Sequence, residues 1–223
     1  MSAAKPGFVI AIDGPAASGK SSTARAVAEE LGFRHADSGA LYRAATAARI
    51  GEGGAPESWT EQSVLDAASH VSVHAADGAF AVRIGAMDAG PLIRSPVVTA
   101  NVSLVARMPR VREWVNARIR DCATIGPIVV DGRDMGVAVF PEAPLKIWLV
   151  AHPAERARRR SVEMLGRSPS DGELASEAAA LEARDAKDAT QTKPAPDAVE
   201  VDTTALTRAE QVARIVELAR ERL

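Results

Sequence analysis

Four short apolar runs stand apart along the chain, at positions 8–12, 128–130, 145–150 and 198–201. They are mostly continuous rather than alternating with polar residues, which is typical of strands buried on both faces of a parallel sheet. Stretches with helical spacing separate the runs, and strands that alternate with helices favour a parallel arrangement. The pattern predicts an α/β fold in which a parallel sheet of about five strands is flanked by helices.

Helical spacing begins soon after the first run. A helix is predicted from Lys20, and Gly32 is placed to end it because glycine readily adopts the left-handed conformation of a helix C-terminus. The last helix is predicted to open at Thr207, with Glu210 at capping-box spacing. The residues expected on the buried faces are Ala24, Val27, Ala28 and Leu31 in the first helix and Val212, Ile215, Val216 and Ala219 in the last.

Two regions depart from this alternation within what we predict to be a single domain over residues 1–223. Residues 51–96 contain Asp77-Gly78 between two alternating runs, which predicts a small antiparallel insert built on a hairpin. Residues 156–195, called the lid region below, combine clustered basic side chains with glycine, serine and proline. We expect a mobile basic lid there. Its clustered arginines are Arg156, Arg158, Arg159 and Arg160.

Composition limits where the protein acts. The 223 residues carry a formal net charge of -2, so no overall attraction to nucleic-acid phosphates is expected. The one cysteine, Cys122, cannot form an internal disulfide, which suits a reducing compartment. The first apolar run is stopped by Asp13 and is too short for a signal or membrane segment. We expect a cytoplasmic protein that binds neither nucleic acid nor membrane.

The strongest chemical signal follows the first apolar run. The segment from Gly14 to Ser21 has the spacing G-x-x-x-x-G-K-S between a predicted strand and a predicted helix, the context that a phosphate loop requires. Backbone N–H groups can hold nucleotide phosphates there, Lys20 can reach the β and γ phosphates, and the Ser21 hydroxyl can ligate Mg²⁺. The alternative is a chance glycine-rich turn. The residues predicted to bind the nucleotide are Gly14, Pro15, Ala16, Ala17, Ser18, Gly19, Lys20, Ser21 and Ser22.

A carboxylate follows the second apolar run. Asp131 stands where P-loop proteins often hold Mg²⁺ or its waters, so Ser21 and Asp131 are the predicted metal ligands. The alternative is an aspartate that only caps a turn. The histidines have no metal-like spacing, and we expect them at the surface or in structural roles; they are His35, His70, His74 and His152.

Three further segments narrow the choice among P-loop proteins. They are Asp37-Ser38-Gly39-Ala40-Leu41-Tyr42-Arg43, Pro109-Arg110-Val111-Arg112 and Asp131-Gly132-Arg133-Asp134-Met135-Gly136. Together with the phosphate loop and the insert, they closely resemble the bacterial cytidylate kinase family, P-loop nucleoside monophosphate kinases that phosphorylate CMP and dCMP with ATP. The resemblance runs along nearly the whole chain.

The resemblance implies an acceptor site. Arg43 and Arg133 would hold the acceptor phosphate, with Ser38 and Tyr42 lining the same site. A carboxylate beside a guanidinium also matches the amino donor and the acceptor atoms of cytosine. The residues that would read the base are Ser103, Arg110 and Asp134, and those that would contact the ribose are Arg184 and Asp188. The residues expected to act in the transfer itself are Lys20, Arg133, Asp131 and Arg160.

Some of these residues have simpler interpretations. Tyr42 and Arg43 can be ordinary packing and solvent-facing residues at a helix start. The arginines of the lid region can be a solvated helix face, although Arg156 and Arg160 share one side of the helix, which suits phosphate binding.

One position departs from the family pattern. The family's R-D-x-x-D-x-x-R motif begins here at Arg184, but Gln191 replaces its last arginine, and the segment 192–196 is shorter than usual. A neutral amide cannot replace a bidentate guanidinium on a phosphate. Either Lys193 substitutes for it, or the acceptor binds more weakly than usual.

The implied activity is transfer of the γ-phosphoryl group of ATP to CMP or dCMP by a monomeric enzyme with Mg²⁺ as cofactor. The insert at 51–96 would bind the monophosphate, and the lid region would close and exclude water. Alternative acceptors are UMP, AMP or a non-nucleotide acid. A nucleotide-dependent switch is the alternative from another class, and the lack of an N-K-x-D segment argues against it. Direct nucleic-acid binding is disfavoured because basic and acidic residues are interleaved.

Overall fold

One β-sheet with helices on both faces organises residues 7–223, the part of the chain that the computed structural model describes. Residues 1–6, at which the predicted domain begins, lie outside this part. The strand order is β3-β4-β2-β6-β1-β7-β8, and β5 pairs with β4. The strands are β1 Val9–Asp13, β2 Arg34–Asp37, β3 Val71–Ala76, β4 Ala79–Ile84, β5 Met87–Asp88, β6 Ile128–Gly132, β7 Leu145–Val150 and β8 Val199–Asp202.

The helices connect these strands. They are α1 Lys20–Leu31, α2 Ser38–Gly51, α3 Glu61–Ala68, α4 Pro96–Ala106, α5 Pro109–Thr124, α6 Pro153–Leu165, α7 Asp171–Asp188 and α8 Arg208–Arg220. Short 3₁₀ turns cover Pro56–Ser58 and Leu92–Arg94, and a π-helical turn covers Met135–Val139. Within residues 7–223, no helix combines the length and the apolar character that crossing a membrane requires.

The predicted parallel sheet is confirmed, because β2, β6, β1, β7 and β8 pair in parallel. Residues of β1 alternate between two cores. Val9 and Ala11 face the core built with α2, α3, α4 and α5, whereas Ile10 and Ile12 face the core built with α1 and α8. Burial on both faces is the reason that these strands have continuous apolar sequences.

The fifth parallel strand, β2, is absent from the four apolar runs because its sequence, Arg-His-Ala-Asp, is mostly polar. The structure nevertheless buries His35 and Ala36. Strand β6 pairs along the whole of β2. Backbone hydrogen bonds of β2 are therefore made with a strand that the sequence of β2 does not reveal.

The predicted hairpin at Asp77-Gly78 is confirmed, since β3 and β4 pair in antiparallel and Gly78 has a φ of 68°. The insert does not form a separate sheet. Ala79 at the start of β4 pairs in parallel with His35 of β2, so the insert extends the edge of the main sheet.

The two helix ends that the sequence predicts are also confirmed. Gly32 closes α1 in the left-handed conformation, with its N–H bound to the carbonyl oxygens of Ala28 and Glu29. Thr207 and Glu210 form the capping box of α8.

A substitution at Leu149 of β7 tests the core that is built with α1 and α8. The Leu149 side chain is fully buried, so Leu149→Ala should lower the free energy of unfolding by about 2–5 kcal/mol through lost packing and a residual cavity. Leu92→Ala is the matched control, because Leu92 is 46% exposed and its loss should cost less than about 0.5 kcal/mol. Urea denaturation measures both changes, and equal losses would contradict this assignment of the core.

Candidate active site

The loop between β1 and α1 has the geometry of an anion-binding site. Gly14 lies so close to β7 that a Cβ atom would stand 2.1 Å from the carbonyl oxygen of Leu149. Gly19, at a φ of 94°, is the N-cap of α1 and has no side chain to cap the helix. The first N–H groups of α1 therefore remain for a ligand, and phosphates bind well at such a helix end.

Lys20 is buried at the start of α1 and is folded back onto the loop. Its Nζ donates to the carbonyl oxygen of Pro15 at 2.6 Å. Burial lowers the pKa of Lys20 well below its ordinary value, and the positive charge of Arg133 lowers it further, whereas Asp131 and Asp13 oppose the change. An anionic ligand here would restore the favourable environment that the ammonium group lacks.

The two predicted metal ligands lie together. The Ser21 hydroxyl donates to Oδ2 of Asp131 at 2.6 Å, so their oxygen atoms point to one place beside the phosphate loop. Within residues 7–223, no group of three or more His, Cys, Asp or Glu side chains could hold a metal ion. The pair fits Mg²⁺, which prefers oxygen and usually binds through one or two protein groups, waters and phosphates.

His35 holds the other oxygen of Asp131, at 2.7 Å from Nε2 to Oδ1. Burial acts to raise the pKa of Asp131, but the hydrogen bond and charge of His35, together with Ser21 and Lys20, outweigh it and lower that pKa. Burial acts to lower the pKa of His35, yet Asp131 raises it. The sequence assigned His35 only a surface or structural role, because the two residues meet solely through the register of β2 and β6.

Asp13 is a second residue that the sequence analysis missed. Its two carboxylate oxygens accept the backbone N–H groups of Met135 and Gly136, each at 2.8 Å. Burial raises the pKa of Asp13 to about 6, although these two hydrogen bonds act to lower it. The last residue of β1 therefore holds the π-helical turn that follows Asp134.

A cluster of arginines lies beside the phosphate loop. Burial lowers the pKa of Arg43 to about 10, and Arg184 and Arg160 add to the shift. Burial likewise lowers the pKa of Arg184, with Arg133 and Arg160 contributing. Asp188 offsets part of this charge, at 3.6 Å from Nε of Arg133 and 3.8 Å from Nε of Arg184. The structure thus places Arg43 and Arg133, which the sequence assigned to the acceptor phosphate, in one cluster with Arg184, which it assigned to the ribose.

Other predicted acceptor residues occupy fixed positions around this cluster. Arg43 donates to the carbonyl oxygen of Ile93 at 3.1 Å and to the Thr99 hydroxyl at 2.9 Å, so it is not a solvent-facing residue. Ser38 donates to the carbonyl oxygen of Asp131 at 2.8 Å. Through Ser38, a residue assigned to the acceptor site is in direct contact with Asp131, a predicted metal ligand.

Tyr42 is buried in the first core, and burial raises the pKa of its hydroxyl to about 12. Within the described residues that hydroxyl has no hydrogen-bond partner, and a buried polar group without a partner calls for a ligand or water. Ser103 is also buried, on α4. Both positions are compatible with a polar ligand inside the site.

The structure does not bring Arg110 to Asp134. Arg110 is exposed at the start of α5, and its guanidinium donates to the Gln62 side chain at 3.0 Å. Arg112, half-buried and two residues further along, donates to the Asp134 carboxylate instead. Both arginines belong to the same sequence motif, and a helix turns residues two positions apart to different sides, so the motif alone could not choose between them.

The arginines of α6 divide into different environments. Arg158 is exposed and pairs with Glu155, as a solvated helix face would. Arg156 is buried against the phosphate loop, where it donates to the carbonyl oxygen of Ala16 at 2.9 Å. Arg160 pairs with Glu163 at 3.0 Å, and its charge also acts on the arginine cluster. Of these three arginines, Arg160 is the one whose charge lowers the pKa of both Arg43 and Arg184.

The position that departs from the family motif lies just beyond α7. The Gln191 N–H donates to the carbonyl oxygen of Asp188 at 2.9 Å, which continues the helix end as a turn. Lys193, the candidate substitute for the missing arginine, is exposed. The charge of Arg160, in contrast, acts on the arginine cluster.

A phosphate loop between β1 and α1, a Ser–Asp oxygen pair and an adjacent arginine cluster on a parallel sheet define a P-loop kinase. A family model described as cytidylate kinase matches residues 10–221. The cytidylate kinase of Limosilactobacillus reuteri (strain DSM 20016) is 38% identical over 221 residues, covering 96% of each chain. That of Geobacillus kaustophilus (strain HTA426) is 42% identical over 219 residues, covering 96% of this chain and 97% of the relative. The chain belongs to the cytidylate kinase family, which confirms the resemblance.

Among solved structures, the crystal structure of TT1252 from Thermus thermophilus aligns with 98% of this chain and 99% of its own. The TM-score is 0.47 and the identity 16%. The family assignment rests on the sequence relatives.

Asp13 should make stability depend on pH. Its pKa of about 6 in the folded state lies above the ordinary value of about 4, so between these pH values the folded state holds a proton that the unfolded state releases. Stability from this group is present below about pH 4 and falls by up to about 3 kcal/mol as pH rises to 6.

Asp13→Asn should abolish this dependence. Urea denaturation from pH 4 to 7 should show the wild-type advantage over Asp13→Asn shrinking as the pH rises to 6 and then levelling off. A difference that stays constant across the range would contradict the raised pKa.

Proposed function

We propose that this chain transfers the γ-phosphoryl group of Mg·ATP to CMP or dCMP, giving ADP and CDP or dCDP. The observation that carries the proposal is the arginine cluster of Arg43, Arg133 and Arg184 beside the phosphate loop. Its charges are close enough to that of Lys20 for Arg133 and Arg184 to lower the lysine pKa. Joining two phosphates requires two neighbouring anion sites, and this arrangement supplies them.

The phosphate loop binds the donor. Its N–H groups and the N-terminus of α1 hold the phosphates, and Lys20 leaves the Pro15 carbonyl for the β and γ oxygens. Ser21 and Asp131 would hold Mg²⁺, which when bound neutralises charge on the β and γ phosphates. His35 keeps one oxygen of Asp131 engaged, so that the other faces Ser21.

The acceptor phosphate is already an oxyanion at neutral pH, and the reaction needs no general base. Arg43 and Arg133 orient it, while Lys20 and Arg160 stabilise charge on the group in transfer. The barrier is lowered by positioning and by charge neutralisation rather than by a covalent intermediate.

The Arg112–Asp134 pair reads the base. The carboxylate accepts from the cytosine amino group, and the guanidinium donates to the acceptor atoms of the ring. Uracil would place a carbonyl oxygen against the carboxylate, which disfavours UMP. The Tyr42 hydroxyl and Ser103 are the other polar groups that the buried site offers. Arg112 thus takes the role that the motif alone assigned to Arg110.

Arg184 and Asp188 contact the ribose, as the family resemblance implies. Asp188 is 8% exposed and is already oriented by two arginines, which supports a fixed position for the sugar. Arg160 compensates in part for Gln191. The insert at 51–96 takes part in acceptor binding, which the Arg43 contact with Ile93 supports, and the lid region excludes water over the bound phosphates.

A coupled ADP-release assay with Mg·ATP and each of CMP, dCMP, UMP, AMP and GMP tests the proposal. We expect turnover with CMP and dCMP and a preference over the other monophosphates. Lys20→Ala should reduce kcat by about 100-fold or more, since it removes a charge that stabilises the transferred group. Wild-type protein that phosphorylates none of the monophosphates would contradict the proposed acceptor site.

The matched pair Arg112→Ala and Arg110→Ala tests base recognition. Loss of a charged hydrogen bond should raise KM for CMP by about 10- to 100-fold in Arg112→Ala, whereas Arg110→Ala should change it by less than about threefold, because its guanidinium lies at the surface. Steady-state kinetics on CMP and UMP measures both. A larger effect at Arg110 would reverse the assignment.

A further inference from the structure

The backbone N–H and carbonyl groups of Ala16, in the phosphate loop, are both held by a charged pair from two helices. The carbonyl oxygen accepts from Nη1 of Arg156 on α6 at 2.9 Å, and the N–H donates to Oδ1 of Asp185 on α7 at 3.3 Å. The same guanidinium nitrogen pairs with Oδ2 of Asp185 at 2.6 Å. The three residues close a ring, so residues outside the loop hold the two peptide groups that flank the Cα of Ala16.

An apolar contact reinforces the ring. Ala16 packs with Ala157 of α6 and Leu181 of α7 in a small cluster that is separate from the two main cores. The next residue, Ala17, has a φ of 56°, which is uncommon for a residue with a side chain. Such a conformation persists only where its surroundings hold it, and α6 and α7 provide those surroundings.

Helix α7 also carries residues of the proposed acceptor site. Asp185 directly follows Arg184 and precedes Asp188 by three positions, so all three lie within one turn. Asp188 is tied to the arginine cluster through Arg133. A ligand that orders Arg184 and Asp188 therefore also orders the turn that presents Asp185 to Ala16.

We infer that Asp185, together with Arg156, is a positioning residue that couples the acceptor site to the phosphate loop. Nucleoside monophosphate bound at Arg184 and Asp188 holds the loop in the conformation that receives the triphosphate, because charge-assisted hydrogen bonds to Ala16 transmit the ordering of α7. By linkage, the triphosphate raises the affinity for the monophosphate by the same factor. The inference rests on the proposed function for the identity of the two ligands.

The pairing also changes the interpretation of Arg156. Its guanidinium is engaged by Asp185 and Ala16, and it is buried, so it acts on the loop rather than on a phosphate. Arg156 and Arg160 share a helix face, yet they serve different parts of the site.

Isothermal titration calorimetry of CMP and of a non-hydrolysable ATP analogue with Mg²⁺, each alone and each in the presence of the other, tests the coupling. In the wild type, each ligand should raise the affinity for the other by about fivefold or more. In Asp185→Ala, that factor should fall towards one and the analogue should bind more weakly, while CMP alone keeps its affinity within about twofold.

Two controls separate coupling from general damage. Glu182→Gln removes one negative charge at an exposed position of the same helix and should leave both affinities and the coupling unchanged. Asp185→Asn keeps an oxygen for the Ala16 N–H but loses the charge, and it should retain part of the coupling. Thermal unfolding of each variant verifies that it is folded.

A double-mutant cycle gives a further readout. Because Asp185 and Arg156 bond to each other and to the backbone of one residue, Ala16, Asp185→Ala combined with Arg156→Ala should weaken analogue binding no more than the worse single variant. Additive effects would overturn the inference, as would wild-type coupling in folded Asp185→Ala. Wild-type protein that binds both ligands without cooperativity would also overturn it and leave the proposed function intact, whereas absence of CMP binding would contradict the proposed function itself.

Discussion

The parallel pairing of β6 with β1 on one side and β2 on the other is the constraint on which the site depends. Parallel strands end at the same edge of the sheet, so this pairing places Asp13, Asp37 and Asp131 at one edge. Burial, followed by the negative charge of Asp131, raises the pKa of Asp37. His35 and Lys20 act in the opposite direction on Asp131 and lower its pKa against the effect of burial, so both belong to the architecture of this edge.

The proposed acceptor site, in contrast, has an excess of positive charge. Arg133 and Arg184 flank one carboxylate, Asp188, and Arg184 is close enough to Arg43 for its charge to act there. Burial first, and then the neighbouring positive charges, lowers the pKa of Arg43 and of Arg184. A phosphate dianion bound among these arginines would offset their mutual repulsion, which favours it over neutral ligands.

Several elements hold the phosphate loop. Gly14 lies against the backbone of β7, where a side chain has no room. Ala16 is held by α6 and α7, and α1 continues directly from Lys20. When α6 and α7 are ordered, the loop loses less conformational entropy as nucleotide binds. The conformation of the loop therefore depends on helices that also carry residues of the proposed acceptor site. The donor and acceptor sites share one framework.

The sequence by itself determined the parallel core, the phosphate loop and the kinase family, because apolar runs, turn glycines and loop motifs are local signals. It did not reveal β2, whose polar residues are buried by a partner distant in the chain, and it could not tell whether Arg110 or Arg112 contacts Asp134. Only the tertiary structure showed the contact between Arg112 and Asp134 and placed His35 on Asp131. Such contacts depend on strand register and helix rotation, and both are set by packing between segments far apart in the chain.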